Sequence, residues 1–291
     1  MKVIILGAGG MLGTQLVAEL YGSEGIELKA YPRELLDIRE EHAVSLLVKD
    51  CDVVINATAY TDVDGCEDEM PQAFEINGWA LRTLGRITED RGIRVIHYST
   101  DFVFDGKRMA APWNEQSVPD PVNAYGSSKL LGEQELQDSN PNHLIIRTQG
   151  LFGFAGQNFI GTMVRRALQE QHTQVVTDQI GKVTDVQDLA IFTASMLAQP
   201  HRTGLLHFAN SGVCSKYDVA HSVFNAAGKG EYLQACLTED FPTRAVRPAW
   251  SPLSSVFRMP EPLYVIKSGR ERVLEYVETC LLEGGLSDEP N

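Results

Sequence analysis

What this 291-residue chain lacks narrows the field first. It has five cysteines (Cys51, Cys66, Cys214, Cys236, Cys280), scattered, odd in number and without a C-x-x-C pair. That pattern excludes a disulfide framework or a zinc site and reads as reduced thiols in a cytoplasmic protein. No cluster of His, Cys and acids has metal-ligand spacing, so no metal is expected. Basic residues are in short supply, 25 Lys and Arg against 39 Asp and Glu, for a net charge of -14. Nucleic-acid and anionic-membrane surfaces need a basic face, so both partners are excluded. Long apolar runs are missing too. The opening "VIIL" lasts four residues before "GAGG" interrupts it, too short for a secretory signal or a membrane span. Repeats, low-complexity tracts and long linkers are also absent.

What is present is a rhythm. Short Val- and Ile-rich runs at residues 3–6, 26–31, 52–56, 93–98 and 143–147 alternate with helical patterns at 10–20, 42–48, 71–90 and 122–137. Strands buried on both faces and joined by helices predict the α/β class, as a Rossmann-type doubly wound parallel sheet. After residue 150 the rhythm loosens, with helices at 159–169, 185–198, 215–227 and 269–282 and strands at 174–177 and 204–208. Ser215 with Asp218, and Ser268 with Glu271, are helix-opening signals. The organisation read from this is a dinucleotide-binding domain over 1–150, to which 183–209 returns. A smaller C-terminal substrate-binding lobe comprises 151–182 and 210–265, and a C-terminal helix and tail 266–291. Residues 242–262 are Pro-rich and read as a loop wrapping a site. Phe74 and Trp79 have apolar neighbours on a helix and read as core. His97, His143 and His207 read as packed strand residues.

The first strand runs into "GAGGMLG", with Gly7, Gly10 and Gly13 at G-x-x-G-x-x-G spacing. Glycines at a first β-α turn let backbone approach a pyrophosphate, and the helix N-terminus offers free N–H groups to it. The second strand ends "AYPRE", so Arg33 stands where a 2′-phosphate would be met, or is a solvated charge. Asp37 and Ile38 meet an adenine edge, or Asp37 caps a helix; the residues alone leave both open. NADPH is the favoured cofactor, with NADH the alternative.

The fourth strand ends in "HYSTDFVFDG", which brings Thr100 and Asp101 to the edge where open parallel sheets bind ligands. "NAYGSSK" follows. Tyr125 and Lys129 are four apart and share one helix face. An ammonium beside a phenol favours the phenolate and would draw the tyrosine's pKa down toward neutrality. Such a tyrosine exchanges a proton with a carbonyl or alcohol oxygen, which Thr100 would hold.

These residues make the chain resemble the extended short-chain dehydrogenase/reductases, and among them the dTDP-4-dehydrorhamnose reductase family. The likeness runs from residue 1 to about 255 through ordered blocks. They include "DVVINATAYTDVDGCE" (52–67), "STDFVFDG" (99–106), "NAYGSSKLLGE" (123–133), "IIRTQGLFG" (145–153), "TDQIGKVTDVQDLA" (177–190) and "RPAWSPL" (247–253). The resemblance implies Thr100, Tyr125 and Lys129 as the catalytic set. It implies cofactor contacts from Gly7, Gly10, Met11, Leu12, Asp37, Ile38, Ala57, Ala59 and Tyr60, and places Asn158 and Arg247 near the nucleotide sugar. The implied activity is NAD(P)H-dependent reduction of the C4 keto group of a nucleotide-activated 4-keto-6-deoxysugar, dTDP-4-dehydro-L-rhamnose above all. The expected partners are that nucleotide sugar and a second copy in a homodimer.

Departures from the family pattern fall on the sugar side. Gly150 stands where the family has an aromatic, Phe102 where it has a tyrosine, and Lys182-Val183 where it has Ser-Pro. The missing aromatic either enlarges the pocket or moves that contact elsewhere. Asp101 contacts substrate or only holds the strand end. Arg247 clamps a diphosphate or forms a surface ion pair, and Asn158 binds substrate or caps a helix. Two other functions fit this scaffold. One is an epimerase or dehydratase of nucleotide sugars, although Phe102 after Asp101 lacks the acid pair of a dehydratase. The other is a non-catalytic NADP-binding subunit resembling the regulatory partner of methionine adenosyltransferase.

Overall fold

The computed structural model describes residues 1–107, 111–257 and 266–282. Six parallel strands make the central sheet: β1 (Lys2–Leu6), β2 (Glu27–Tyr31), β3 (Val53–Asn56), β4 (Arg94–Thr100), β5 (His143–Thr148) and β6 (Gly204–His207). Their order is β6-β5-β4-β3-β1-β2. The chain leaves β1 in one direction to reach β2, then crosses to β3 on the other side. The switch point between β1 and β3 opens a crevice at their carboxyl ends.

Strand alternation explains why these runs carry no polar phase. Val3 and Ile5 enter one core with Leu16 and Leu189, while Ile4 and Leu6 enter the opposite core with Val44, Leu81 and Leu84. Successive side chains point to opposite faces, and helices cover both. A third core, around Ile160, Val164, Phe224 and Val277, belongs to the helices Phe159–Leu168, Lys216–Ala226 and Gly269–Leu282. Arg272 of that last helix reaches Asp188 through bonds of 2.9 and 2.5 Å and ties this core to the sheet layer. All five cysteines are free thiols. Among the described residues no helix is long and apolar enough to cross a membrane.

Most expected elements appear within one or two residues of their predicted ends, the usual uncertainty of helix and strand termini. Ser215 and Asp218 form the reciprocal cap expected of them. Three departures stand out. A short strand at Leu233–Cys236, paired with Thr173–Val176, was not predicted. The segment 71–90 is not one helix. It runs as Met70–Phe74, a π-helical turn over Glu75–Trp79, and Ala80–Glu89. The wider turn rotates Asn77 fully inward, where its carboxamide exchanges hydrogen bonds with the backbone of Tyr60 at 2.8 and 3.0 Å. The same rotation turns Trp79 outward to 48% exposure and leaves Phe74 half-buried, which corrects their expected place in the core. The tail beyond 282 and residues 258–265 lie outside the described residues.

Candidate active site

The crevice at the switch point is a cavity of about 610 Å³. One wall is the turn after β1, where the Gly7 and Ala8 N–H groups bond to the Tyr31 carbonyl at 2.9 and 3.1 Å. Glycine is required here by space. A Cβ on Gly7 (φ +78) would stand 2.8 Å from the Ala57 backbone, and one on Gly13 would stand 2.1 Å from the Gly7 carbonyl. Gly10 caps the Met11–Leu20 helix without a side-chain bond, so the first-turn N–H groups stay free for an anion. Arg33, Asp37, Ile38, Ala57, Ala59 and Tyr60 line the crevice as expected from the sequence. Asp37 is not a helix cap. It grips Arg39 at both oxygens, and that bond holds its carboxyl below the usual range. Leu12 packs its side chain into the core beside the sheet, and Met11, half-buried, packs against that core. Thr14, Glu34 and Thr58 also line the crevice and were missed, Thr58 although it lies inside the block 52–67.

Beside the crevice, β4 delivers Thr100 and Asp101, both almost fully buried. The Thr100 hydroxyl accepts from Phe102 N–H and donates to Asp101, each at 3.1 Å. Burial pushes the Asp101 carboxyl up to about 6, against hydrogen bonds from Ser251 and Thr100 and the charge of Lys216. The helix Ala124–Ser139 starts at Asn123, which accepts from Gly126 N–H at 2.8 Å and reaches Val246 carbonyl at 2.8 Å. This anchors the first turn, and Tyr125 with it, between β4 and the Pro-rich loop. The Tyr125 ring meets Phe102 edge-on at 5.8 Å.

The expected lowering of the Tyr125 pKa is overturned. Burial and then the Asp101 charge push the phenol up, with only the Thr100 hydroxyl opposing. Lys129, one turn on, directs its ammonium nitrogen to His97 Nε2 at 3.2 Å rather than compensating Tyr125. Burial draws Lys129 itself down to about 8, with Glu133 pulling the other way. Glu133 is held by Arg147 through bonds of 2.8 and 2.6 Å.

A second, small cavity of about 70 Å³ lies on the far side of Asp101 and Phe102. Gly150, Gln149, Lys182, Lys216 and Arg247 share its lining. Gly150 does not leave the space of a missing aromatic. Its φ of +54 suits glycine, and a Cβ there would stand 2.5 Å from the Lys182 carbonyl, so backbone fills that volume. Arg247 lines the cavity and is held by Asp64 through two bonds of 2.9 Å, so the ion pair forms at a residue of the cavity lining. Asn158 is not in the cavity lining. It caps the Phe159–Leu168 helix, accepting from Gly161 N–H and donating to Gly153 carbonyl, both at 2.9 Å, which corrects its expected substrate role. Gln149 Nε2 is buried without a hydrogen-bond partner, a donor left for a ligand. Gln149 and Lys216 are residues that sequence reasoning missed here, while His97 is the packed strand residue expected of it. Lys216 stands directly after the legible cap Ser215 and Gln149 directly before Gly150; neither position marks a site until the chain is folded.

With this geometry in view, comparison with known proteins is consistent along the whole chain. The family described as RmlD substrate binding domain matches residues 1–280. The spore coat polysaccharide biosynthesis protein SpsK of Bacillus subtilis is 36% identical over 255 residues, covering 87% of this chain and 89% of that protein. A dTDP-4-dehydrorhamnose reductase of Mycolicibacterium smegmatis is 33% identical over 291 residues, covering 99% of this chain and 88% of that one. The solved dTDP-4-dehydrorhamnose reductase of Bacillus anthracis in complex with NADP matches with a TM-score of 0.88 at 32% identity, covering 96% and 98% of the two chains.

Proposed function

This chain belongs to the RmlD substrate binding domain family, and from that premise we propose that it is an NADPH-dependent reductase of a nucleotide-activated 4-keto-6-deoxysugar. The substrate we assign is dTDP-4-dehydro-L-rhamnose, giving dTDP-L-rhamnose, in keeping with the names of its relatives. The observation that carries this reading is that Tyr125 meets Phe102, which lines the small cavity, and shares a packed cluster with Tyr60, which lines the large crevice.

The glycine cradle and free helix N-terminus fit a dinucleotide pyrophosphate, and Arg33 at the rim fits a 2′-phosphate. When bound, the dihydronicotinamide supplies the hydride that reduces the C4 carbon. Tyr125 then gives its proton to the C4 oxygen. A half-buried phenol that holds its proton is the state a reductase needs at that moment. The Thr100 hydroxyl positions the oxygen, and Lys129 holds the nicotinamide ribose. On the sugar side we assign Gln149, Lys216 and Arg247 to the sugar and diphosphate, with segments 151–182 and 210–265 as the substrate-binding lobe. The polysaccharide role named for SpsK fits a product destined for a cell-surface glycan. We take the cytoplasm as the setting, in keeping with the free thiols, and a homodimer as the assembly, to be measured by sedimentation.

Purified protein should oxidise NADPH when dTDP-4-dehydro-L-rhamnose is added and not with UDP- or GDP-linked analogues. Full turnover by Tyr125→Phe would overturn the assignment.

A further inference from the structure

The tip of β5 carries a polar group that the fold holds still and leaves unmatched. Gln149 follows that strand directly and is 3% exposed. Its Oε1 accepts from the Lys182 N–H at 2.9 Å. A backbone N–H can only donate, so the carboxamide oxygen must face Lys182 and the NH2 is the other end. The main chain is pinned to the same segment. The Thr184 hydroxyl donates to the Gln149 carbonyl at 2.7 Å, and the Thr184 N–H to the Gly150 carbonyl at 3.1 Å. Turning the NH2 toward another acceptor would break the Lys182 bond.

Three buried side-chain atoms among the described residues lack a hydrogen-bond partner: Arg94 Nε, Ser99 Oγ and Gln149 Nε2. Of these residues only Gln149 lines the crevice or the small cavity. A buried donor left unmatched costs stability, and the cost is offset when a ligand supplies the acceptor.

The opposite kind of group lines the same cavity. An ionised Asp101 can only accept; it takes hydrogen bonds from Thr100 and Ser251 and has lone pairs for a further donor. The two groups are close. A Cβ on Gly181 would stand 3.2 Å from Gln149 Oε1 and 3.3 Å from Ser251 Oγ. A donor-only and an acceptor-only group on one small cavity match a hydroxyl, which takes one hydrogen bond and gives another. A phosphate oxygen would satisfy Gln149 but be repelled by Asp101, and the cations Lys216 and Arg247 of the same lining suit it better. Asp101 is bonded to Thr100, which positions the C4 oxygen, so the hydroxyl concerned is on the neighbouring carbon, C3.

We propose that Gln149 is a specificity-determining residue of the reductase: its NH2 donates to the C3 hydroxyl of the sugar, and that hydroxyl donates to Asp101. This deepens the reading of the small cavity as the sugar site and rests on it.

Titration calorimetry in the presence of NADPH tests it, because dTDP-L-rhamnose, as the product, does not react with that cofactor. Gln149→Met keeps the length of the side chain and removes the donor. It should weaken dTDP-L-rhamnose about tenfold, the worth of one neutral hydrogen bond, and leave dTDP within about twofold. The variant also leaves the Lys182 N–H without its acceptor, an effect common to every ligand compared. The 3-deoxy analogue of dTDP-L-rhamnose should bind wild type at least about tenfold more weakly than the parent, and Gln149→Met should weaken the analogue no further. Equal weakening of dTDP and dTDP-L-rhamnose would put the donor on the diphosphate and overturn the proposal. Full additivity of the variant and the missing hydroxyl overturns it as well. If the variant does not fold, a structure of the wild-type complex with NADPH and dTDP-L-rhamnose decides. Nε2 within about 2.7–3.2 Å of the C3 oxygen supports the proposal, and any other ligand atom there overturns it. Wild type that binds no dTDP-L-rhamnose sinks the reductase reading and this inference together, whereas binding to which Gln149 is indifferent sinks this inference alone.

Discussion

The crevice lined by Tyr60 and the small cavity lined by Phe102 are built by different means. The cofactor-side crevice is wide, about 610 Å³, and much of its wall is main chain from the turns after β1 and β3. The sugar-side cavity is about 70 Å³ and gathers side chains from around residues 101, 149, 182, 216 and 247. On the first side, glycine allows approach and free N–H groups supply polarity. On the second, charges are held against one another, Arg247 by Asp64 and Asp101 by Ser251 and Lys216. A site for a dinucleotide can be made from backbone because its phosphates ask only for N–H groups. A site for one particular sugar needs side chains with chosen donors, and those must be brought from far apart.

This contrast can be broken at its hinge. Tyr125→Phe should lower kcat/KM by about 10²–10⁴, the range for a lost general acid, while isothermal titration shows NADPH and nucleotide-sugar binding nearly intact. Asp101→Asn tests the strain held on the sugar side. The folded Asp101 pKa is raised, from 3.8 to about 6. Its contribution to stability is therefore present below about pH 4 and lost as pH rises through 6. The asparagine variant should match wild type at pH 4 and exceed it by up to about 3 kcal/mol at pH 8, as read from urea unfolding. Equal stability at both values would show that no buried charge cost exists there.

Gly13→Ala acts on the other side alone. Its Cβ would press on the Gly7 carbonyl, and overpacking of this kind costs about 2 kcal/mol. NADPH affinity should fall about 30-fold with nucleotide-sugar affinity unchanged. Arg247→Met should do the reverse with a smaller effect, raising the KM for the nucleotide sugar about tenfold through a lost charge-assisted bond and leaving the KM for NADPH unmoved. If either variant weakened both ligands equally, the two cavities would be one energetic unit.

The same contrast explains how much could be read in advance. The sheet was legible because strands buried on both faces must be apolar without interruption, as Val3 to Leu6 are. The cradle was legible because Gly7, Gly10 and Gly13 stand at a fixed three-residue spacing within one turn. Thr100, Tyr125 and Lys129 were legible as residue types in order. What misled was the expectation of an ammonium lowering the phenol. That depends on which way Lys129 points, and His97 comes from a strand 32 residues earlier. Asn158 and Asp37 were ambiguous for a similar reason, since a short polar side chain serves a cap, an ion pair or a ligand equally well until its neighbours are known. Trp79 faced outward because a π-helical turn shifted the face of its helix, and no period in the sequence announces such a turn.

By itself, then, the sequence determined the alternation of strand and helix, the glycine turn and the order of Thr100, Tyr125 and Lys129 along the chain. Those depend on local spacing and on the steric demands of single residues. The tertiary structure alone decided that burial raises Tyr125 and lowers Lys129, that backbone closes the space at Gly150 and that Asp64 captures Arg247. Each of these is set by burial and by partners dozens or hundreds of residues away, and electrostatics in a low-dielectric interior responds to distance in space rather than along the chain.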